Sequence, residues 1–246
     1  MARPVLILSA VAAEIASLRD SLVDAVAAEV DGERFERGFI EGRPVVLGTV
    51  GVGKVNAAMA ATRAIDHFVP DLVIFTGVAG AVDPSLEIGD VVVAEWVVQH
   101  DAGVVDGDGF HVYQAGHVPF FNPTDRLGYR PSPDLLARVR PVVASTDLAP
   151  VLGRVPRLLI GAVATGDRFI QSDEERRRLH ESLGVHVVEM EGAAVAQIAE
   201  HLGVDHIVVR AVSDLAGADS PIDFERFLAE VSANSACVVR RLLGPG

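Results

Sequence analysis

The 246-residue chain carries 34 Asp and Glu against 21 Lys and Arg, a net charge of −13. That balance argues against a nucleic-acid partner, since binding a phosphate backbone rests on clustered Lys and Arg. Half of the residues are hydrophobic and mean hydropathy is +0.34, enough apolar surface for a core, yet no run is long enough to span a bilayer. The single cysteine, Cys237, leaves neither a disulfide framework nor a cysteine metal site and suits a reducing cytoplasm.

In chain order, Val5 to Ser9 reads as a buried first strand rather than a signal peptide, because the short apolar stretch runs straight into Glu14, Arg19 and Asp20. Glu14 to Ala28 places apolar residues at Ile15, Leu18, Leu22, Ala25 and Val26, spacing that predicts an amphipathic helix. Phe35 to Thr49 predicts a hairpin around Glu41-Gly42. Gly48-Thr49-Val50-Gly51-Val52-Gly53-Lys54 then matches most of a P-loop. Val55 stands where that motif needs the hydroxyl that binds Mg²⁺, so its glycines are better read as permitting a tight turn and close backbone approach.

A helix is predicted over Lys54 to Phe68, stopped by Pro70, then a strand over Leu72 to Thr76 leading into the small-residue turn Thr76-Gly77-Val78-Ala79-Gly80-Ala81. Asp90 to His100 is another Val-rich strand. From Ala102 to Pro133 periodicity gives way to Gly, Asp, Pro and aromatics, which predicts a long loop acting as a lid or an oligomer contact. Beyond it, helices over Asp134 to Arg140, Asp173 to Leu183, Gly192 to Leu202 and Phe224 to Leu243 alternate with strands over Leu158 to Ala164, Val185 to Glu189 and His206 to Val212. Gly203 sits where a helix C-terminal glycine belongs. The alternation predicts a single α/β domain over residues 1–246.

Four carboxylates sit where predicted strands end: Glu14, Glu189, Glu191 and Asp214. Singly, each suits a helix N-terminus on electrostatic grounds alone. Together, a parallel arrangement of strands would gather them around one cleft, where open α/β sheets hold their ligands. No histidine pair has metal-ligand spacing, so no metal is expected, and the lack of a Gly-x-Ser-x-Gly elbow argues against an α/β-hydrolase nucleophile; no cofactor is expected.

These segments, taken in order, resemble the 5′-methylthioadenosine/S-adenosylhomocysteine nucleosidases of the nucleoside phosphorylase superfamily. The resemblance runs from Ile7 to Leu242 through Ala13-Glu14-Ile15, Val50-Gly51-Val52-Gly53-Lys54-Val55, Thr76-Gly77-Val78-Ala79-Gly80, Gly89-Asp90-Val91-Val92-Val93, His100-Asp101, Gly166-Asp167-Arg168-Phe169-Ile170, Glu189-Met190-Glu191 and Arg210-Ala211-Val212-Ser213-Asp214. It implies a three-layer αβα fold with a central mixed, twisted sheet, a homodimer, and hydrolysis of an N-glycosidic bond to release adenine.

By the same resemblance Asp214 is the general acid toward purine N7, and Glu14, ionised, positions and deprotonates the attacking water. Glu191, also ionised, accepts the ribose hydroxyls with Met190 packed on the sugar, and Glu189 belongs to the substrate site. Phe169 stacks on adenine and the Ile170 backbone reads the purine edge. Ser213 and Arg210 support the acid and Glu14, while Val52 and Phe224 surround the 5′ substituent. Phosphorolysis is disfavoured because Ser9 to Glu14 holds a carboxylate and no Arg where a phosphate would need a cation.

Three features depart from the family pattern: Val78 stands where Ser is frequent, Val11 where a longer side chain is common, and the Ala102 to Pro133 loop is longer than usual with extra aromatics. Val11 and the long loop leave open a relative acting on another nucleoside, such as a futalosine derivative, and Val78 a nucleoside sensor without turnover.

Overall fold

The computed structural model describes residues 2–244. The chain runs β1 (Val5–Ser9), α1 (Ala12–Asp20), β2 (Val23–Val30), β3 (Glu33–Ile40), β4 (Arg43–Thr49), α2 (Lys54–Phe68), β5 (Leu72–Ala81), β6 (Val91–Gln99), β7 (Gly103–Asp106), β8 (Gly109–Val112), α3 (Pro133–Ser145), β9 (Leu158–Thr165), α4 (Asp173–Leu183), β10 (Val187–Glu189), α5 (Gly192–His201), β11 (Asp205–Asp214) and α6 (Ser220–Leu243).

Nine strands form one mixed sheet in the order β10-β9-β6-β11-β5-β1-β4-β3-β2. Strands β4, β1, β5 and β11 are parallel, as the helical crossovers between them require. The end of β5 also pairs antiparallel with β10, through Val187 with Ala81 and Val188 with Gly80. This second pairing curls one half of the sheet back on itself and brings the end of β10 beside the ends of β5 and β11.

Helices cover both faces, giving the three-layer αβα arrangement. On one face Ala57, Ala60, Ala61, Ala64 and Phe68 of α2 and Ala193, Val195, Ala196 and Ala199 of α5 pack on the sheet in one apolar cluster. The alanine-rich surfaces let these helices lie close to the strands and to each other. On the other face Ile15 and Leu18 of α1, Leu135 and Val139 of α3, and Phe227, Val231 and Val239 of α6 form a second.

Several predicted elements are corrected. The helix expected over Glu14 to Ala28 ends at Asp20, and Val23–Val30 is an edge strand paired with β3. Helical spacing at 22, 25 and 26 misleads because this strand has little buried face: Val23 and Val26 are 61% and 63% exposed. The informative signal is Asp31-Gly32, whose left-handed φ values of 49° and 85° make a hairpin turn. The strand expected to stop at Thr76 continues to Ala81. Glycine is needed inside it, since a β-carbon at 77 would overlap the Arg210 guanidinium and the Glu14 carboxylate.

The segment from Ala102 to Pro133 is partly ordered by its own pairing: β7 and β8 form a hairpin and Tyr129 bridges Val97. Helix α3 runs past Pro141 to Ser145, α6 starts at Ser220, and β10 is confined to Val187–Glu189.

Candidate active site

A pocket of about 230 Å³ opens where the ends of β1, β5 and β11 meet β10. Glu14, Val52, Val78, Phe169, Ile170, Glu189, Met190, Glu191, Ser213, Asp214 and Phe224 all line it, so each of these expected site residues reaches one cavity. Arg210 stands behind the wall, fully buried. Ala10, Val11, Ala79, Gly80, Arg168, Val188 and Ala216 complete the lining. Most of these act by backbone shape or small size, which leaves no chemical signature in a sequence. No residue of 102–133 lines the pocket.

Glu14 lies in the first turn of α1 and folds back on the turn that precedes it. One carboxylate oxygen accepts the Val11 N–H at 2.9 Å, the other the Val78 N–H at 2.9 Å. This arrangement caps the helix and fixes the carboxylate at the pocket wall. Burial pushes the Glu14 carboxyl above the ordinary carboxylate value; the Arg210 charge and the backbone N–H groups oppose the rise without cancelling it.

Glu189 and Glu191, two residues apart, have different surroundings. Glu189 accepts the Thr165 hydroxyl, the Gly192 N–H at 2.7 Å, the Glu191 N–H at 3.1 Å and the Arg210 guanidinium. It holds the first turn of α5, where unpaired N–H groups and the helix dipole favour an anion. Its oxygens are therefore engaged by the protein even though the residue lines the pocket.

Arg210 stands behind the three carboxylates of this side of the pocket. Its hydrogen bond goes to Glu189, it stands 3.8 Å from Glu191, and it acts on Glu14 through charge. The guanidinium lies over the Phe75 ring at 4.4 Å, a further reason for its burial.

Glu191 accepts the Gly53 N–H at 2.8 Å and otherwise faces the pocket. Burial, then the neighbouring Glu189 charge, pushes its carboxyl up to about 8 against the pull of Arg210. The ionised form expected of it is thus disfavoured near neutrality. Three buried carboxylates share one buried guanidinium here, and a retained proton is the consequence.

Asp214 enters from the opposite side. A register shift between Val212 and Asp214 breaks the pairing of β11 with β5 and re-aims the strand end. Asp214 accepts the Ser213 hydroxyl and the Ala216 N–H, each at 2.9 Å. Gly80 leaves room for it, since a β-carbon there would come within 2.8 Å of its oxygen. Apart from Arg168, the rest of the pocket is apolar, with Phe169 and Phe224 edge to face at 6.2 Å. Such a cavity offers polar contacts at its acidic ends and a dry wall between them.

Fold and pocket together define a class, the phosphorylase superfamily, whose family model matches residues 4–244. A Mycobacterium tuberculosis 5′-methylthioadenosine/S-adenosylhomocysteine nucleosidase is 45% identical over 99% of this chain and 98% of its own. The solved nucleosidase of that name from Colwellia psychrerythraea, in complex with adenine, superposes with a TM-score of 0.84 at 34% identity, covering 99% of this chain and 95% of the other. Futalosine hydrolase of Helicobacter pylori reaches a TM-score of 0.83 at 28% identity, covering 98% and 97%. The chain belongs to the 5′-methylthioadenosine/S-adenosylhomocysteine nucleosidase family within that superfamily.

Proposed function

We infer that the protein is a purine nucleosidase that hydrolyses the N-glycosidic bond of 5′-methylthioadenosine or S-adenosylhomocysteine and releases adenine. The observation that carries the reading is a pair of buried carboxylates with different partners in one pocket: Glu14 on backbone N–H groups, Asp214 on the Ser213 hydroxyl and the Ala216 N–H. Hydrolysis needs these two functions. A base takes a proton from water as its oxygen bonds to the anomeric carbon, and an acid protonates purine N7 as the bond from that carbon to the base breaks.

Glu14 is the base and Asp214 the acid in this reading. The raised value of Glu14 suits a base working near neutral pH. Glu191 receives the ribose hydroxyls, Met190 packs on the sugar, and their negative surroundings stabilise the developing sugar cation. Phe169 stacks on the base, while Val52 and Phe224 form the wall for a 5′ thioether. Water is favoured over phosphate as nucleophile because Arg210, the buried cation nearest Glu14, is already committed to Glu189.

Incubation with 5′-methylthioadenosine, S-adenosylhomocysteine, adenosine and inosine, with and without phosphate, tests the reading. Adenine release without phosphate is expected; a strict phosphate requirement refutes hydrolysis. Futalosine belongs in the same panel, because a futalosine hydrolase shares the fold and Val11 and Val78 shape the pocket.

We further propose a homodimer acting in the cytoplasm. Val52, Val55 and Met59 present exposed apolar side chains from the start of α2 beside the pocket, and Phe120 and Phe121 are 88% and 82% exposed. Sedimentation at micromolar concentration is expected to give twice the 26.0 kDa chain mass.

A further inference from the structure

The P-loop-like turn is built for something other than a phosphate. Lys54, the residue that would reach a phosphate in that motif, donates instead to Asp101 at 2.6 Å and to Gln99 at 3.2 Å. The other oxygen of Asp101 accepts the Asp167 N–H at 2.8 Å, and the Asp167 carboxylate accepts the Lys54 N–H at 2.8 Å. A closed ring results: Lys54 side chain to Asp101, Asp101 to the Asp167 backbone, Asp167 side chain to the Lys54 backbone.

The ring ties three segments that are far apart in sequence: the start of α2, the end of β6, and the turn at 166–170 that carries Phe169. Next to it, Gly53 has φ of 93°, and among the described residues its N–H is the one hydrogen bond from elsewhere in the chain that the Glu191 carboxylate receives. A β-carbon at 53 would come within 3.0 Å of the Asp167 carboxylate, so glycine permits this approach. The ion pair is mostly buried, with 19% and 16% side-chain exposure for Lys54 and Asp101, where geometry is held more firmly than in a surface pair.

We propose that Lys54, Asp101 and Asp167 are positioning residues forming a clasp that presents the Gly53 N–H to Glu191 and thereby sets the orientation and proton affinity of the ribose carboxylate. The proposal rests on Glu191 being that carboxylate, and its test separates the two. The distinguishing readout is the pH profile of kcat/KM for 5′-methylthioadenosine, because loss of the Gly53 N–H bond removes an interaction that favours ionised Glu191.

Lys54→Met and Asp101→Asn are expected to lower kcat/KM by roughly 10- to 100-fold, the scale on which small misplacements of a binding group act. They are also expected to move the limb due to Glu191 to higher pH. The double variant K54M/D101N, which leaves no buried charge unpaired, is expected to lose no more than either single one and to show the same shifted limb. In a Glu191→Gln background, Lys54→Met is expected to add little.

Full activity and an unmoved limb in both K54M and the double variant would overturn the clasp, as would additive losses in the E191Q background. An E191Q enzyme with unchanged kcat/KM would instead overturn the ribose role of Glu191, and the clasp with it.

Discussion

The two ends of the sheet each carry a concavity, and the larger one lacks the features of a reaction site. At the starts of β4, β5 and β11, a groove of about 780 Å³ is lined by Arg43, Arg138, Arg240 and Arg241 beside Leu72, Leu135 and Ile207. At the opposite end the pocket has about 230 Å³ but gathers buried Glu14, Glu189, Glu191 and Asp214. Groove arginines such as Arg43 and Arg240 are half-exposed and pair with Asp71 and Glu41 at 3.3 and 3.5 Å. Volume therefore says less than burial does, because a charge in low dielectric is costly unless the fold provides for it.

The strongest way to break this contrast is Asp214→Asn. Removing the proton source at nearly constant size is expected to cut kcat by about 10³-fold, within the usual range for a general acid, with the fold intact by circular dichroism. Unchanged turnover would end the acid assignment. Glu14→Gln comes next, with a loss of about 10²-fold in kcat expected and a smaller change in KM. Because burial raises the Glu14 carboxyl, wild-type kcat/KM is also expected to start falling above the ordinary carboxylate range as pH drops.

Glu191→Gln sharpens the contrast through stability as well as rate. With its carboxyl pushed up to about 8 by burial and the Glu189 charge, Glu191 is expected to hold its proton in the fold well above the reference value of 4.5 at which it titrates when unfolded. The unfolded state then binds fewer protons across that window, so this group's contribution makes the fold less stable as pH rises through it. Glutamine carries no such charge. The melting temperature of E191Q relative to wild type is expected to increase from pH 5 towards pH 8, and a flat difference would show that Glu191 is ionised in the fold throughout.

The site was more legible in sequence than the frame around it, and the reason is chemical. Glu14, Glu191 and Asp214 are marked by side-chain type at strand ends, and the pocket gathers all of them. Edge strand β2 was not, because its exposed valines mimic helical spacing and only Asp31-Gly32 marks the turn. The distinct surroundings of Glu189 and Glu191 were equally invisible. They depend on Thr165 and Arg210 converging from β9 and β11 on one carboxylate, a meeting that only the curled sheet produces.

The smallest expected effect lies in the groove. Arg240→Ala removes an ion pair to Glu41 whose members are both nearly half-exposed, 47% and 45%, and whose separation is 3.5 Å. Such a pair is screened by solvent and opposed by side-chain entropy, so the expected loss of stability is below about 1 kcal/mol and kcat/KM should stay within about twofold of wild type. Salt offers a second reading of the same variant, since an exposed pair weakens with ionic strength while the buried charges around Arg210 are shielded from it. A tenfold loss of kcat/KM in R240A would mean that α6, which carries Phe224 at one end and Arg240 at the other, couples groove and pocket along its length. The separation of a binding end from a merely charged one would then fail.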